Sequence, residues 1–313
     1  LEMIKGFDVL VESFGPGVME ELGLGYSKLK SINKSIVMTS ITPFGQDGPH
    51  RDRKGTELTL LAAGGITYMC GEPESDPCTA PNYKAYDLAS TWAASGILIS
   101  LHHRQGTGEG QFQDISILES VASTSDWVVS RMMHEGVHPK RNGATAVTYW
   151  PSGLYESKDG KYLMLFTLTS GQFRAFADWT GREDLKDSMW EDRNVRIENV
   201  DYLREIYSEF VVKFKREDFI EEAQRREIPV TPVHDVAEFQ ENDHEVAREF
   251  FQKSEHPVIG SFSYPGLPVV LGEHEKPRTG PAPLLGQHNE DIYVGELGMS
   301  KSELAELVTD RVV

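Results

Sequence analysis

Phe7-Asp8-Val9-Leu10-Val11-Glu12-Ser13-Phe14-Gly15-Pro16-Gly17-Val18-Met19-Glu20-Glu21-Leu22 is the stretch that sets the fold class. Its first six residues read as a short apolar strand, residues 13–17 break that strand, and residues 18–22 read as helix. An amphipathic segment follows at residues 26–32, then a second strand, Ser35-Ile36-Val37-Met38-Thr39-Ser40-Ile41. Strand, Gly/Pro turn, helix, strand is a βαβ rhythm, which implies a parallel sheet with functional loops at the strand carboxyl ends. Two loops occupy such ends, residues 13–17 and Thr42-Pro43-Phe44-Gly45-Gln46-Asp47-Gly48-Pro49.

Further along, an apolar helical run begins at Asp87 and continues by its 3.6-residue spacing to about residue 103. Gly106-Thr107-Gly108-Glu109-Gly110 ends it, residues 111–117 return as a strand, and a second long helix is expected over 118–133. Composition then shifts. From Tyr149-Trp150-Pro151-Ser152-Gly153 the chain reads as short strands (153–157 and 162–166) around Asp159-Gly160, then as helices at 172–180, 200–213 and 216–226. Beyond them, Ile228-Pro229-Val230-Thr231-Pro232-Val233, Tyr264-Pro265-Gly266-Leu267-Pro268 and Pro281-Ala282-Pro283-Leu284 suit an extended arm. The expected architecture is α/β. A Rossmann-like parallel-sheet domain spans 1–142, a smaller α+β domain 143–233, and a C-terminal arm returning to the large domain 234–313.

Composition narrows the function. An apolar share of 39% and a charged share of 26% belong to a globular chain. No run of about 18 apolar residues offers a membrane span. With 31 basic against 49 acidic residues the formal charge is -18, which repels nucleic acid and anionic lipid. An anionic ligand therefore needs a local exception, for which Lys28, Lys30, Arg51, Arg53 and Lys54 are candidates. Cys70 and Cys78 are close enough in sequence to pair, and read as cytosolic thiols. The histidines show no metal-ligand spacing, and His102 and His103 read as cations closing the apolar helix. Trp92 is expected in the helix core, and Trp150 is a candidate for a cleft between domains.

Asp87 carries the chemistry. A carboxylate at the head of a helix accepts hydrogen bonds from the free amides of the first turn, so a plain helix cap is one reading. The other is a nucleophile held ionised beside backbone donors, the amides from Leu88 onward, that stabilise an oxyanion on an attacked carbonyl.

Several motifs together resemble the class III CoA-transferases, the formyl-CoA and crotonobetainyl-CoA transferase type. They are residues 8–17, Leu22-Gly23-Leu24-Gly25-Tyr26, residues 40–49, Gly96-Ile97-Leu98 after Asp87, Thr107-Gly108-Glu109-Gly110-Gln111, and Pro281-Ala282-Pro283-Leu284-Leu285-Gly286-Gln287-His288. Their order and spacing hold across nearly the whole chain.

The resemblance implies a cytoplasmic enzyme that moves coenzyme A between an acyl-CoA and a carboxylic acid through an aspartyl-CoA thioester on Asp87. Coenzyme A is then a substrate, and neither a metal nor a tightly bound cofactor is implied. Ser13, Phe14 and Gly15 match a segment lining the CoA channel, and Lys54 matches a basic position near the nucleotide or pantetheine. Ser13 stands where many relatives carry asparagine, and Glu21 where they carry an arginine, which removes a phosphate contact. The related α-methylacyl-CoA racemases place a histidine where Thr56 stands. Threonine cannot serve as acid or base there, which ranks transferase above racemase. The resemblance also implies an interlocked homodimer. It further implies an initial βαβ region before residue 6, from the same natural chain or from a partner polypeptide, in which case a non-catalytic subunit is the alternative.

Overall fold

The computed structural model describes residues 1–141, 143, 151–270, 272 and 280–313. Trp150 lies outside the described residues. Three strands, β1 (Val9–Glu12), β2 (Val37–Thr42) and β3 (Phe112–Ser116), form a parallel sheet in the order β1-β2-β3. The α/β expectation holds. β1 and β3 lie within their predicted bounds, and β2 starts two residues later and ends one residue later than the predicted 35–41, following the paired register in which Val9 faces Val37 and Thr42 faces Ser116. Central β2 is almost entirely buried, as a parallel strand covered on both faces must be.

Strand alternation sends the side chains of β2 to two different layers. On one face Met38 joins Ile4, Met19, Leu29 and Ile36, which belong to or flank α1 (Val18–Glu21) and α2 (Tyr26–Ile32). On the other face Thr39 and Ile41 meet helices from later in the chain. These are α3 (Glu57–Ala63), α4 (Ile66–Met69), α5 (Lys84–Thr107) and α6 (Ile117–Ala122), followed by α7 (Asp126–Glu135). Residues 118–133, predicted as one helix, are interrupted by a 3-10 turn at Ser123–Ser125. There Ser123 Oγ donates to the Ser120 carbonyl at 2.8 Å and Thr124 Oγ1 to that of Val121 at 2.7 Å. Such side-chain bonds compete with the helical ladder.

Helix α5 lies on the sheet through small residues. Ala85, Ala89, Ala93 and Ser100 are buried, and a Cβ on Gly96 would stand 2.8 Å from Gln113 Oε1. Between helix and sheet runs a polar layer. Thr39 Oγ1 donates to Gln113 Oε1 at 3.1 Å, Gln113 Nε2 to Ser100 Oγ at 2.6 Å, and Ser100 Oγ to Gln111 Oε1 at 3.0 Å. Satisfied buried networks of this kind fix one register.

The C-terminal end of α5 is pinned where the strands begin. Arg104 Nη2 stands 2.9 Å from Asp8 Oδ1, and Arg104 Nη1 donates to the Ser35 carbonyl at 3.2 Å. Arg104, rather than His102 or His103, is the cation of the last turn, because the helix runs on to Thr107 and leaves both histidines exposed on its flank. At 24 residues α5 is ~36 Å long, against ~20 Å for β2. Its first turns therefore project past the sheet's carboxyl edge, where Ala85 and Ala89 pack with Leu60, Leu61, Ile117 and Val121.

By compactness the chain divides into two units, residues 1–154 with 166–204 and residues 155–165 with 205–313. The first also holds α8 (Ser170–Thr180) and α9 (Arg193–Glu198), whose buried Arg196 donates to the carbonyls of Trp190 and Leu168. The second holds β5 (Tyr162–Leu165) and β6 (Val230–Pro232), an antiparallel pair whose sheet is completed by β4 (Gly153–Glu156). Its helical side includes the end of α10 (Val200–Val211) and α11 (Arg216–Arg225). Arg216 and Lys161 donate to the Glu238 carboxylate and hold its pKa down at about 2. From residue 234 on there are α12 (Val236–Gln240), α13 (Asp243–Ala247), a hairpin of β7 (Phe251–His256) and β8 (Gly260–Pro265), a π-helical segment (Glu290–Glu296) and α14 (Lys301–Thr309). Pro and Gly content alone signals none of these. Among the described residues no helix is long and apolar enough to cross a membrane.

Gly108 and Gly110 account for the Thr107–Gln111 motif. Gly108, at φ 74, makes the left-handed turn that ends α5. Gly110 donates from its amide to the Lys34 carbonyl, and a Cβ there would sit 1.9 Å from the Ile36 carbonyl oxygen. Backbone cannot yield as a side chain can. Gly110→Ala is therefore expected to cost about 2–3 kcal/mol in urea unfolding, and an unchanged midpoint would contradict this packing.

Candidate active site

The head of α5 is built by α3. The first turn of any helix leaves amides without partners, and here the Glu57 carboxylate, from the first residue of α3, takes two of them. Ala85 N–H donates to Glu57 Oε1 at 2.8 Å, and Tyr86 N–H to Glu57 Oε2 at 3.1 Å. In return Glu57 N–H donates to the Tyr86 hydroxyl at 2.9 Å. Thr56 caps α3, with its own N–H donated to Thr59 Oγ1 at 2.8 Å. Two helix N-termini thus satisfy one another across 28 residues of sequence.

Asp87 is consequently not the cap. The helix starts three residues before it, behind Tyr83, and the Asp87 N–H already makes a helical bond to the Tyr83 carbonyl at 2.8 Å. Leu88 and its successors lie within the helix, so their amides are engaged in its ladder and are not the oxyanion donors expected from sequence. The Asp87 side chain is 66% exposed, with Lys84 Nζ at 3.7 Å from Oδ2. Tyr83 and Tyr86 stack beside it, ring centroids 6.2 Å apart. A carboxylate relieved of capping and open to solvent can attack an incoming carbonyl.

The loop that leads into α3 reaches the same place. Thr56 stands one residue before Glu57, so the bonds to Ala85 and Tyr86 bring it to the head of α5, and Lys54 lies two residues further back on the same loop. Lys54 is exposed and has no ion pair or hydrogen bond among the described residues. The preceding turn is fixed to the sheet. Gln46 N–H donates to Asp114 Oδ2 at 2.9 Å and Gln46 Nε2 to Ser40 Oγ at 2.6 Å, with Gly45 at φ 87.

Ser13, Phe14 and Gly15 lie at the end of β1, on the same carboxyl edge as Asp87 and with no hydrogen bond to it. They are exposed, and Phe14 N–H donates to Glu12 Oε2 at 2.8 Å. The cleft beneath them is lined by Glu12, Gly15, Gly17, Glu20 and Gln46 among others. Two carboxylates in a cleft favour hydroxyl and amide donors over phosphate. Lys54, on the loop into α3, is an exposed cation outside that cleft.

Sequence reasoning passes over Glu57. A local signal exists, since Thr56-Glu57 opens a short helix, yet its partner amides are set by tertiary packing. Trp92, expected in the core, is half exposed, because the buried stripe of α5 is made of small residues; its Nε1 donates to Ser123 Oγ at 3.2 Å. Among the described residues no group of three or more His, Cys, Asp or Glu is placed to hold a metal ion.

The profile of CoA-transferase family III matches residues 1–289. The beta subunit of succinyl-CoA–L-malate CoA-transferase from Chloroflexus aurantiacus is 31% identical over all of this chain and 78% of its own length. Formyl-CoA:oxalate CoA-transferase from Streptomyces avermitilis is 27% identical over all of this chain and 80% of its own. Among solved structures, a CAIB/BAIF family protein from Brucella suis superposes with a TM-score of 0.80 at 24% identity, covering 94% of this chain and 76% of that one. A family match across nearly the whole length, with a relative above 30% identity, makes this chain a member of CoA-transferase family III, the enzymes that move coenzyme A between an acyl-CoA and a carboxylate.

Proposed function

We propose that Asp87 is the covalent carrier of the transfer. One Oδ attacks the thioester carbonyl of the donor, the C–S bond breaks, and CoA leaves as thiolate, giving a mixed anhydride. The thiolate then attacks Asp87 Cγ, which releases the donor acid as carboxylate and leaves an aspartyl-CoA thioester. An acceptor carboxylate attacks Cγ, expelling the thiolate and forming a second anhydride. The thiolate attacks the acceptor's carbonyl, which departs as the new acyl-CoA with Asp87 restored. Exchange of thioester and anhydride at one residue divides a hard step into nearly balanced ones.

The observation that carries this reading is the Asp87 carboxylate, which stands at the carboxyl edge while another acid caps its helix. Lys54 and the backbone of residues 13–15 supply the CoA contacts in this reading. Thr56, engaged in capping α3, offers no acid or base for racemisation. Several of the relatives are named for succinyl-CoA, which makes it the first donor to try.

With succinyl-CoA, a hydroxylamine-sensitive adduct is expected on Asp87 by mass spectrometry. Asp87→Asn removes only an exposed ion pair, so stability should stay within ~0.5 kcal/mol while transfer falls by about 10⁴-fold or more. Undiminished turnover by the variant would refute the assignment.

The working form in this reading is an interlocked homodimer. No residue of α7 is buried, Met133 is 74% exposed, and Leu98 and Ile99 on α5 are 67% and 69% exposed. These side chains are the ones a partner chain covers in this reading. Two relatives are named as beta and alpha subunits, so a homologous chain in place of the second copy is the alternative. Sedimentation equilibrium of the pure chain is expected to give a dimer, and an active monomer at all concentrations would overturn that.

A further inference from the structure

We propose that Glu57 is the positioning residue of the reaction, an inference that rests on Asp87 being its nucleophile. Three hydrogen bonds join Glu57 to the first turn of α5: two from the amides of Ala85 and Tyr86 to its carboxylate, and one from its own amide to the Tyr86 hydroxyl. Together they fix the angle at which α3 meets α5. They therefore fix where Asp87, the next residue after Tyr86, stands.

The carboxylate also determines what Asp87 is free to do. Two amides with no partner at a helix N-terminus attract the nearest anion, and acids in a first turn readily fold back onto such amides. With Glu57 absent, the nearest acidic side chain on α5 is Asp87 itself, one residue past the Tyr86 amide. A carboxylate that accepts two amide hydrogen bonds commits its lone pairs and is a poorer nucleophile. Glu57 occupies both donors, and the ion pair of the Asp87 carboxylate among the described residues is the 3.7 Å contact with Lys84. Capping and attack are thereby divided between two acids that a sequence reading assigns to one.

The test uses the full chain with succinyl-CoA as probe. Rapid-quench mass spectrometry follows adduct formation on Asp87, steady-state assays give kcat and KM, and thermal unfolding reports the fold. The amide of Glu57→Gln can accept only one of the two N–H groups and turns its NH₂ against the other. The adduct rate and kcat are expected to fall by about 10²-fold, as small misplacements of reacting groups do, with KM held within roughly twofold. Glu57→Asp keeps the charge on a shorter arm and should recover about tenfold of the loss. A merely structural role would lower the unfolding temperature without separating kcat from KM. A Gln variant that forms the adduct at the wild-type rate, or whose loss lies wholly in KM, would overturn the inference while leaving Asp87 in place. Absence of any Asp87 adduct in the wild type would instead bring down the underlying reading, and this inference with it. Should the Gln variant fail to fold, the Asp variant decides: a slower adduct at unchanged KM supports the role, and the wild-type rate contradicts it.

Discussion

The carboxylate of Glu57, shared between the amides of Ala85 and Tyr86, is the interaction on which the carboxyl edge depends. Two helix N-termini that meet head to head present like partial charges. An anion placed between them converts that repulsion into attraction, and the Tyr86 hydroxyl in turn accepts from the amide of Glu57. Without it, the bond from the Glu57 amide to the Tyr86 hydroxyl and the apolar contact of Leu60 and Leu61 with Ala85 and Ala89 would be left to hold α3 against α5, with two amides of the first turn of α5 unpaired. The same bond assigns the two acids their separate tasks.

The rest of the unit transmits that arrangement to the sheet. Small residues let α5 lie close on β2 and β3, and the Thr39, Gln113, Ser100 and Gln111 chain prevents it from sliding. At the far end Arg104 and the close-packed backbone of Gly110 hold the last turn against the strand starts. A helix pinned at one end and longer than the strands beneath it must overhang at the other. Asp87 is on the overhang, which explains how a residue on a rigid helix remains exposed.

Local pattern made the parallel sheet legible. The apolar, β-branched runs Val9-Leu10-Val11 and Ile36-Val37, with Gly15, Pro16 and Gly17 cutting the chain between them, leave few alternatives, and the ordered motifs identified the family. What stayed hidden is tertiary. The first turn of α5 begins at Lys84 rather than Asp87 because Glu57, distant in sequence, supplies the cap that local pattern assigns to Asp87. The helix predicted across 118–133 breaks at Ser123–Ser125, since hydroxyls there bond to carbonyls of the preceding turn. Trp92 carries an apolar ring whose burial composition suggests, yet the buried stripe runs along the alanines. Hydrophobic periodicity finds helices; it does not say which of several apolar faces meets the sheet.

The most direct measurement is a crystal structure of the protein after reaction with succinyl-CoA. Continuous density is expected from Asp87 to an acyl or CoA group, with the Glu57 carboxylate still on the amides of Ala85 and Tyr86. Density showing Asp87 folded onto those amides, with Glu57 turned to solvent and the adduct on another residue, would contradict it.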